Sequence, residues 1–477
     1  MTLPLIGILL SLIVLIFLAY RGHSVIIIAP LAALIAVLFS GAPLLASYTQ
    51  IFMPAAGKFF VSFFPLFLLG AMFGQMMNVS GYAQSLGKWI SHLFGPKRVL
   101  LATVIATALL TYGGVSAWVI AFTMYPIGKV LFHEAGIPKR LMPAAIALGI
   151  FTFATASLPG SPQIHNAIPT QFFQTTTYAA PLTGLIGGVV TFVLGMLWLE
   201  YRARQMRAAG EDYASTLDPE GRAKAEKAAL GHDEADTHSP FDGRNIHIAG
   251  LISLLPIVVV VAMNALFVYG FSQWMNFDYL AEEQFGETSL AKVMGTWSVT
   301  VALATAIIVM FLMQPKKAKT HVEAVSTGAK NATLPAITTA SEVAYGAVIA
   351  GLAVFTMIRE GIFSISDNAL VVGAVSTAAI SGITGSSSGG LTITLTAFGQ
   401  DLAAMAAQQG IDLEALHRIM AMSSVSFDSL PHNGAIITLL LVCGLTHRDS
   451  YKDIGMVTVL VPFIGVLVSL GIALAAT

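Results

Sequence analysis

The chain has 477 residues, of which 56% are hydrophobic and only 10% are charged, and its formal net charge is −1. Soluble proteins carry roughly a quarter charged residues, so this composition excludes a soluble globular protein and predicts an all-α polytopic membrane protein. The near-neutral charge excludes the basic surface that nucleic-acid binding requires, and the single cysteine, Cys443, excludes a disulfide within the chain.

Uncharged runs near or above the roughly 20 residues that a bilayer core requires predict the crossings. In the first half, residues 1–201, these runs are Leu3–Tyr20, Ser24–Ser40, Phe59–Asn78 and residues 141–199, which are long enough for two crossings. We interpret the first run as a retained helix rather than a signal peptide, because no cleavage site follows it. An amphipathic piece, Tyr82–Leu93, is typical of a helix at the membrane interface.

Glycine and proline interrupt two uncharged stretches of this half. Thirty uncharged residues around Gly113-Gly114 are too long for one crossing and have basic residues on both flanks. We therefore expect a re-entrant hairpin over residues 99–131. Residues 141–175 form a crossing that is broken at Leu158-Pro-Gly-Ser-Pro162.

A charged segment, residues 202–247, separates this half from the next one. It has little apolar periodicity, so we expect a solvated linker with a short helix near Pro219–Leu230. The second half, residues 248–477, repeats the plan. Its crossings are Ile248–Gly270, Val293–Gln314, a third with Tyr345–Ile358 at its core, a broken helix at 414–445 interrupted at Leu430-Pro431, and Ile454–Ala475, with a hairpin at 363–405.

Basic residues indicate the orientation of these crossings. With the N-terminus outside, 20 of the 24 Lys and Arg fall on the cytoplasmic side, and the exceptions are Lys58, Lys292, Arg359 and Arg418. Without the seven basic residues of the linker, the ratio is still 13 to four. We therefore expect both termini to be extracytoplasmic and the linker to be cytoplasmic. Each half has five crossings plus a hairpin, and because five is odd, the second half is inverted relative to the first.

The interruptions also occur at matching positions in the two halves. Gly114 and Pro159 are 45 positions apart, and Gly385 and Pro431 are 46 positions apart. Each break contains Ser-Leu-Pro and is followed by His-Asn. An inverted repeat with discontinuous helices at the midplane is the best sequence indicator of a transporter site.

The most polar part of the second hairpin is the glycine- and hydroxyl-rich stretch Ser381–Gly390. Irregular backbone at membrane depth is tolerated only where protein buries it or a water-filled cavity adjoins it. We expect no Lys or Arg deep in a crossing, so backbone N–H groups, helix N-termini and hydroxyls would have to hold a carboxylate. The candidate substrate-binding residues are Gly114, Ser116, Ser161, Asn166, Thr384, Gly385, Ser386, Ser387, Ser388, Gly389 and Asn433. Alternatively, these glycines only allow close helix packing.

Ionisable groups inside crossings are functional candidates by default, and few occur here. The candidate proton or cation carriers are His165, His432 and Asp428, with Asp367 and Glu342 as weaker candidates. Histidine titrates near physiological pH, although each histidine could instead donate a hydrogen bond to a carbonyl freed beside its proline. The sequence has no metal-ligand cluster, catalytic triad or phosphate-binding loop, so we expect no cofactor, no metal site, no enzymatic activity and no ATP-driven step.

Residues 382–390, Gly-Ile-Thr-Gly-Ser-Ser-Ser-Gly-Gly, and residues 158–166, Leu-Pro-Gly-Ser-Pro-Gln-Ile-His-Asn, carry a family resemblance. Within this layout they resemble the gluconate:proton symporter (GntP-type) family of bacterial inner membranes, which belongs to the ion transporter superfamily. The resemblance covers nearly the whole chain except the linker. It implies proton-driven uptake of a hydroxy-carboxylate by a homodimer, with scaffold and transport domains that move as an elevator. The segment Pro159-Gly-Ser-Pro-Gln163 departs from the Pro-Pro-His-Pro-Gly-like pattern of gluconate carriers and favours the 3-hydroxybutyrate permease branch.

The sequence thus predicts a secondary transporter that imports a small organic anion, such as 3-hydroxybutyrate or a sugar acid, by symport with H+. Na+-coupled symport of a di- or tricarboxylate is the alternative, because unwound carbonyls with Ser, Thr and Asn oxygens also suit Na+. An intramembrane enzyme would require clustered acids or a metal site, which the predicted crossings lack. A channel is a further alternative, but the paired breaks that would close a site at the midplane favour an alternating-access carrier.

Overall fold

The computed structural model describes residues 2–21, 23–216 and 245–476. These residues form helices joined by short turns, and no strand occurs within the described ranges. This agrees with the all-α fold that the composition predicts. The helix expected near Pro219–Leu230, and most of the linker, lie outside the described residues.

The first half begins with three helices, α1 (Thr2–Tyr20), α2 (Val25–Ser40) and α3 (Leu44–Val79). The amphipathic piece forms α4 (Tyr82–Phe94), and the first hairpin consists of α5 (Val99–Tyr112) and α6 (Ala117–Glu134). The broken crossing has the limbs α7 (Met142–Ile150) and α9 (Ile164–Phe173), with one short turn of helix, α8 (Phe153–Ala156), between them. The half ends with α10 (Pro181–Ala208).

The second half has the same succession of elements. It begins with α11 (Ile246–Trp274), α12 (Leu290–Met313) and α13 (Ala318–Ala350), followed by the short α14 (Phe355–Phe363). Its hairpin consists of α15 (Ala369–Thr384) and α16 (Ser387–Gln408). The limbs of its broken crossing are α17 (Leu413–Ser424) and α18 (Gly434–Cys443), and α19 (His447–Ala475) ends the chain.

Helix boundaries follow local capping chemistry. The side chain of Asn368 accepts a hydrogen bond from the backbone N–H of Leu370 at 2.9 Å and so begins α15. Asp412 begins α17 in the same way, with a 2.9 Å bond from the N–H of Glu414. Such bonds satisfy donors that the first turn of a helix leaves free. At the other end of α18, Gly444 adopts the left-handed conformation that commonly terminates a helix.

Two predicted crossings have different boundaries in the structure. Phe59–Asn78 is only the C-terminal part of α3, which begins 15 residues earlier, at Leu44, because the exposed Lys58 does not interrupt the helix. The prediction that Tyr345–Ile358 is the core of a crossing is wrong. Helix α13 ends at Ala350, and α14 leaves it at an angle of 95°. Hydropathy detects an apolar run but not a change in its direction.

The predicted linker also begins too early, because α10 continues to Ala208. Arg202, in this extension, is buried and donates from Nε to Asp453 Oδ1 in α19 at 2.7 Å. Arg202, whose charge helped to predict a solvated linker, is therefore paired inside the protein. Buried charges in proteins normally have such a partner.

The two halves meet through helices that occupy equivalent places in their order. Helices α3 and α13 make the most extensive helix–helix contact. They approach so closely that a Cβ atom added to Gly328 would lie 2.6 Å from Met72 Cα. Helices α10 and α19 meet in a similar way, and a Cβ atom on Gly187 would lie 3.0 Å from the carbonyl oxygen of Gly465. Small residues allow this close approach, as is common between membrane helices.

Five described helices are long and apolar enough to cross a membrane, namely α3, α10, α11, α12 and α19, and the bent pair α13–α14 makes a sixth if it is counted as one span. The other predicted crossings are short or broken helices. Large apolar side chains point outward, such as Val61, which is 77% exposed, and Leu312, which is 73% exposed. Hydrocarbon solvates such a surface, so the protein is a membrane protein. The single cysteine, Cys443, is free and buried in α18, as expected of a packing residue.

Candidate functional site

The second hairpin turns at Gly385, between α15 and α16. Gly385 has φ of +62°, a conformation that glycine adopts without strain. Ser386 then caps α16, and its Oγ accepts a hydrogen bond from the backbone N–H of Gly389 at 3.1 Å. The glycine-rich stretch therefore breaks the helix, as predicted, and exposes two serine hydroxyls at the tip.

These hydroxyls contact ionisable side chains from two other helices, and a third ionisable side chain lies near them. Ser386 Oγ donates to Glu342 Oε2 of α13 at 2.9 Å. Ser387 Oγ lies 2.7 Å from His165 Nε2, which belongs to α9 in the first half. The carboxylate of Asp428, which is buried at the second break, lies near Ser387 and accepts a hydrogen bond from Ser429 Oγ at 3.1 Å. We call His165, Glu342, Ser386, Ser387 and Asp428 the polar cluster.

Two glycines of the tip allow this arrangement sterically. A Cβ atom added to Gly389 would lie 2.1 Å from Glu342 Oε2, so the carboxylate occupies the space that a side chain would need. A Cβ atom on Gly390 would lie 2.4 Å from Ser381 Cα in the other limb of the hairpin. Gly390 therefore allows the two limbs of the hairpin to pack closely. Gly389 instead leaves space for the Glu342 carboxylate.

The remaining predicted residues of this hairpin lie close to its own backbone. The Thr384 hydroxyl donates to the carbonyl oxygen of Ile380 at 2.9 Å, in the preceding turn of α15. Ser388 is half-buried in the first turn of α16. Asp367, one of the weaker candidates, is exposed before α15 begins, whereas Glu342, the other one, belongs to the polar cluster.

His432 lies apart from the polar cluster. Its ring packs against Gly385, where an added Cβ atom would lie 2.7 Å from His432 Cδ2. It also lines an apolar groove together with Phe427 and Phe463. His165 and His432 therefore occupy matching sequence positions but have unlike surroundings.

Both predicted asparagines stabilise a break. Asn433 Oδ1 accepts hydrogen bonds from two backbone N–H groups of the first turn of α18, at 2.7 and 3.0 Å, and its Nδ2 donates to the Asp428 carbonyl oxygen at 2.9 Å. Asn166 Nδ2 donates to the carbonyl oxygens of Ser161, at 3.0 Å, and Thr177, at 2.7 Å. Asn166 and Ser161 are both fully buried. These side chains satisfy backbone groups that the interrupted helices leave free.

The expectation that no Lys or Arg lies deep in a crossing is wrong, because Arg418 of α17 is fully buried. Its guanidinium donates to four acceptors at or just after the first break: the carbonyl oxygens of Ala156 (2.8 Å), Thr177 (3.1 Å) and Ala179 (2.9 Å), and Asn166 Oδ1 (2.8 Å). Hydropathy treats arginine as a residue of a loop or a helix end. Here the guanidinium is needed because the broken helix leaves carbonyl groups without donors.

The first hairpin turns at Gly114, which has φ of +90°, and Ser116 precedes α6. Gln163 Nε2, at the first break, donates to the carbonyl oxygen of Thr111 at 2.7 Å. This bond joins the first hairpin to the first break. In the second half, the hairpin and the break also come close together, where Ser387 lies near Asp428.

A cavity of about 720 Å³ lies beside the first hairpin tip, between α3, α13 and the first break. Gly114 and Ser116 line it, as do Gln163 and Lys330. Lys330 was missed from the sequence because the core of that crossing was expected at Tyr345–Ile358. The sequence did contain a signal that this helix begins earlier. No proline occurs between Pro315 and Pro335, so a helix can include Lys330.

Comparisons with known proteins relate the chain to transporters. It is 41% identical over 462 residues to the uncharacterized transporter YxjC of Bacillus subtilis (strain 168), and this match covers 96% of each chain. An uncharacterized transporter of Haemophilus influenzae is 28% identical over 138 residues, which are 29% of this chain and 30% of that protein. No family model matches the chain.

Among solved structures, the YdaH transporter of Alcanivorax borkumensis aligns with a TM-score of 0.49 and 15% identity, over 88% of this chain and 86% of that one. A similarity at this level establishes neither function nor mechanism. The match to YxjC is much stronger, because it extends over almost the whole of both proteins. The chain therefore belongs to the same family of membrane transporters as YxjC of Bacillus subtilis.

Proposed function

We propose that this transporter is a secondary carrier that imports a small hydroxy-carboxylate, such as 3-hydroxybutyrate or a sugar acid, together with H+. The hydrogen bond between His165 and Ser387 carries the proposal. It joins the first break to the second hairpin tip, and the carboxylate of Asp428 at the second break lies near Ser387. Ionisable groups from both halves thus meet at one point, and ionisable groups inside membrane proteins commonly mark ion pathways.

We assign proton coupling to His165 and Asp428. Both lie close to Ser387, which supports this assignment, because a change of charge at one of them acts on the other over a short distance. Glu342 adds a third titratable group through Ser386. His432 faces an apolar groove instead, so we assign it a packing role.

Na+ is the second candidate for the coupling ion, and the oxygen-rich polar cluster favours it. The carboxylates of Glu342 and Asp428 lie beside the hydroxyls of Ser386 and Ser387. Oxygen ligands at interrupted helices hold Na+ in many carriers. A Na+-coupled carrier of a di- or tricarboxylate would use the same cluster.

The architecture that goes with this function is an inverted repeat of residues 1–201 and 248–477. The same succession of helices in both halves supports it, as do the contacts of α3 with α13 and of α10 with α19. We place α1–α3 and α11–α13 in a scaffold, and the hairpins and broken helices in a transport domain that moves as an elevator. The scaffold would form a homodimer in the bacterial inner membrane, with the 202–247 linker in the cytoplasm.

Uptake by the purified protein in proteoliposomes tests the coupling. We expect labelled 3-hydroxybutyrate or gluconate to accumulate when the outside is more acidic than the lumen, and a protonophore to abolish this accumulation. If uptake requires Na+ and does not depend on the pH gradient, the coupling ion is Na+ and not H+. Unitary currents through the protein at fixed potential would show a channel instead.

A pair of variants tests the role of the polar cluster. Asp428→Asn keeps the shape of the side chain but removes its charge, so we expect loss of pH-driven accumulation with retained exchange of labelled for unlabelled substrate. His432→Gln is the matched control at the same break, and we expect it to accumulate substrate as the unaltered protein does. The opposite pattern would assign the coupling to His432.

A further inference from the structure

We propose that the cavity beside the first hairpin tip is the substrate site and that the Lys330 ammonium binds the substrate carboxylate, so that the preferred substrate carries one negative charge. This inference rests on the proposed function, the import of a small organic anion. It adds the position of the site and the charge of the substrate.

The cavity lies where a carrier requires its site, between the helices that join the two halves and a discontinuous segment. Its volume of about 720 Å³ is ample for a small acid and its water. Gly70 and Gly74 of α3 face the hairpin tip. Cβ atoms added to them would lie 3.8 Å from the Gly114 carbonyl oxygen and 3.4 Å from the Ser116 backbone nitrogen. Backbone groups at the tip are therefore not covered by large side chains from α3.

Lys330 is the one charged residue among the described residues that line this cavity. No ion pair of Lys330 occurs within the described ranges, so its ammonium is available to a ligand. Arg418 cannot take this role, because protein acceptors already bind its guanidinium on all three nitrogens. The cavity also includes Ile164, which precedes the proposed coupling residue His165 in the chain.

The other polar groups of the cavity are neutral amides. Gln75, Gln163 and Asn331 line it. Gln163 uses its Nε2 for the Thr111 carbonyl oxygen, which leaves its Oε1 as an acceptor for a substrate hydroxyl. One ammonium with several amides matches a hydroxy-monocarboxylate. Lys330 is exposed at the cavity, and a second carboxylate would have no cationic partner among the residues that line it.

Binding to the purified protein at pH 7, measured by isothermal titration calorimetry, tests this inference. The ligands are 3-hydroxybutyrate, gluconate, succinate and 3-hydroxybutyramide, the uncharged analogue of the first. We expect the better of the two hydroxy acids to bind at least about tenfold more tightly than succinate or the amide, as is typical for a charge-assisted hydrogen bond.

Three variants assign the effect to one side chain. Lys330→Gln should weaken hydroxy-acid binding about tenfold or more without affecting the amide, and Lys330→Arg should retain most of the affinity. Lys319→Gln removes a lysine of the same helix that does not line the cavity, so binding should not change.

Unchanged affinity of Lys330→Gln for the hydroxy acids would overturn the inference, and so would tighter binding of succinate by the unaltered protein. If Lys330→Gln does not fold, equal affinities of the unaltered protein for acid and amide would overturn it equally. If the Lys330→Gln protein still takes up substrate and binds it with unchanged affinity, the inference about Lys330 fails but the proposed transport function stands. If the unaltered protein neither binds nor transports any of these anions, the proposed function itself fails.

Discussion

Individual polar side chains complete the backbone where helices are interrupted inside the membrane. Hydrocarbon offers no hydrogen bonds, so each carbonyl or N–H group that a break frees needs a partner within the protein. Asn433 supplies partners at the second break, and Asn166 with Arg418 supplies them at the first. Arg418 belongs to the second half but binds the first, so it also joins the two halves.

Arg418→Met should destabilise the protein strongly. Three acceptors would lose the donor that Arg418 supplies, whereas the Thr177 carbonyl oxygen keeps its bond from Asn166. An unsatisfied buried group costs about 1–3 kcal/mol, so we expect a loss of about 3 kcal/mol or more. Thermal unfolding of the detergent-solubilised protein measures the effect. Arg359→Met is the control, because Arg359 and its partner Asp401 are 48% and 33% exposed, and such a pair contributes at most about 1 kcal/mol. Similar melting temperatures for the two variants would contradict this account of Arg418.

Among the elements, the hairpins and broken helices were predictable, whereas the bend after α13 was not. Glycine pairs and prolines are local signals, and helices do end near each of the four places that they mark. The 95° bend between α13 and α14 falls in a run that stays apolar, so no local signal marks it. Its direction depends on the helices that pack around it.

The contact between the limbs of the second hairpin can be tested at Gly390. Gly390→Ala places a Cβ atom 2.3 Å from Ser381 Oγ, so the limbs must separate and move Ser386 and Ser387 with them. Overpacking of this kind costs roughly 1–3 kcal/mol, and we expect a lower melting temperature together with reduced uptake. In Gly471→Ala of α19, the new Cβ atom has nothing within 4 Å, so both properties should be retained. Normal uptake by Gly390→Ala would show that the tip tolerates a wider hairpin.

At the scale of the whole molecule, the positions of the loops relative to the membrane follow from the number of crossings. The proposed inverted repeat places the exposed acidic loop before α12 outside the cell and the segment after α10 inside it. Under this proposal, equivalent helices would cross in opposite directions, and α3 and α13, which are one such pair, are in contact.

Cysteine labelling tests this orientation. In a Cys443→Ala background, Glu283→Cys and Ser215→Cys place single thiols at exposed positions of the two segments. A membrane-impermeant maleimide should label Glu283→Cys in intact cells but Ser215→Cys only after permeabilisation. Labelling of Ser215→Cys alone in intact cells would reverse the proposed orientation, and labelling of both would contradict the number of crossings between them.

The sequence by itself determined the membrane class, the helical fold and the places where glycine and proline interrupt helices. These properties depend on hydropathy, glycine and proline, which act over a few neighbouring residues. Only the tertiary structure decided that His165 reaches Ser387 while His432 does not, that Arg418 is buried, and that Lys330 lines a cavity. Each of these facts depends on contacts between residues far apart in the chain, whose geometry is set by how whole helices pack and not by local composition.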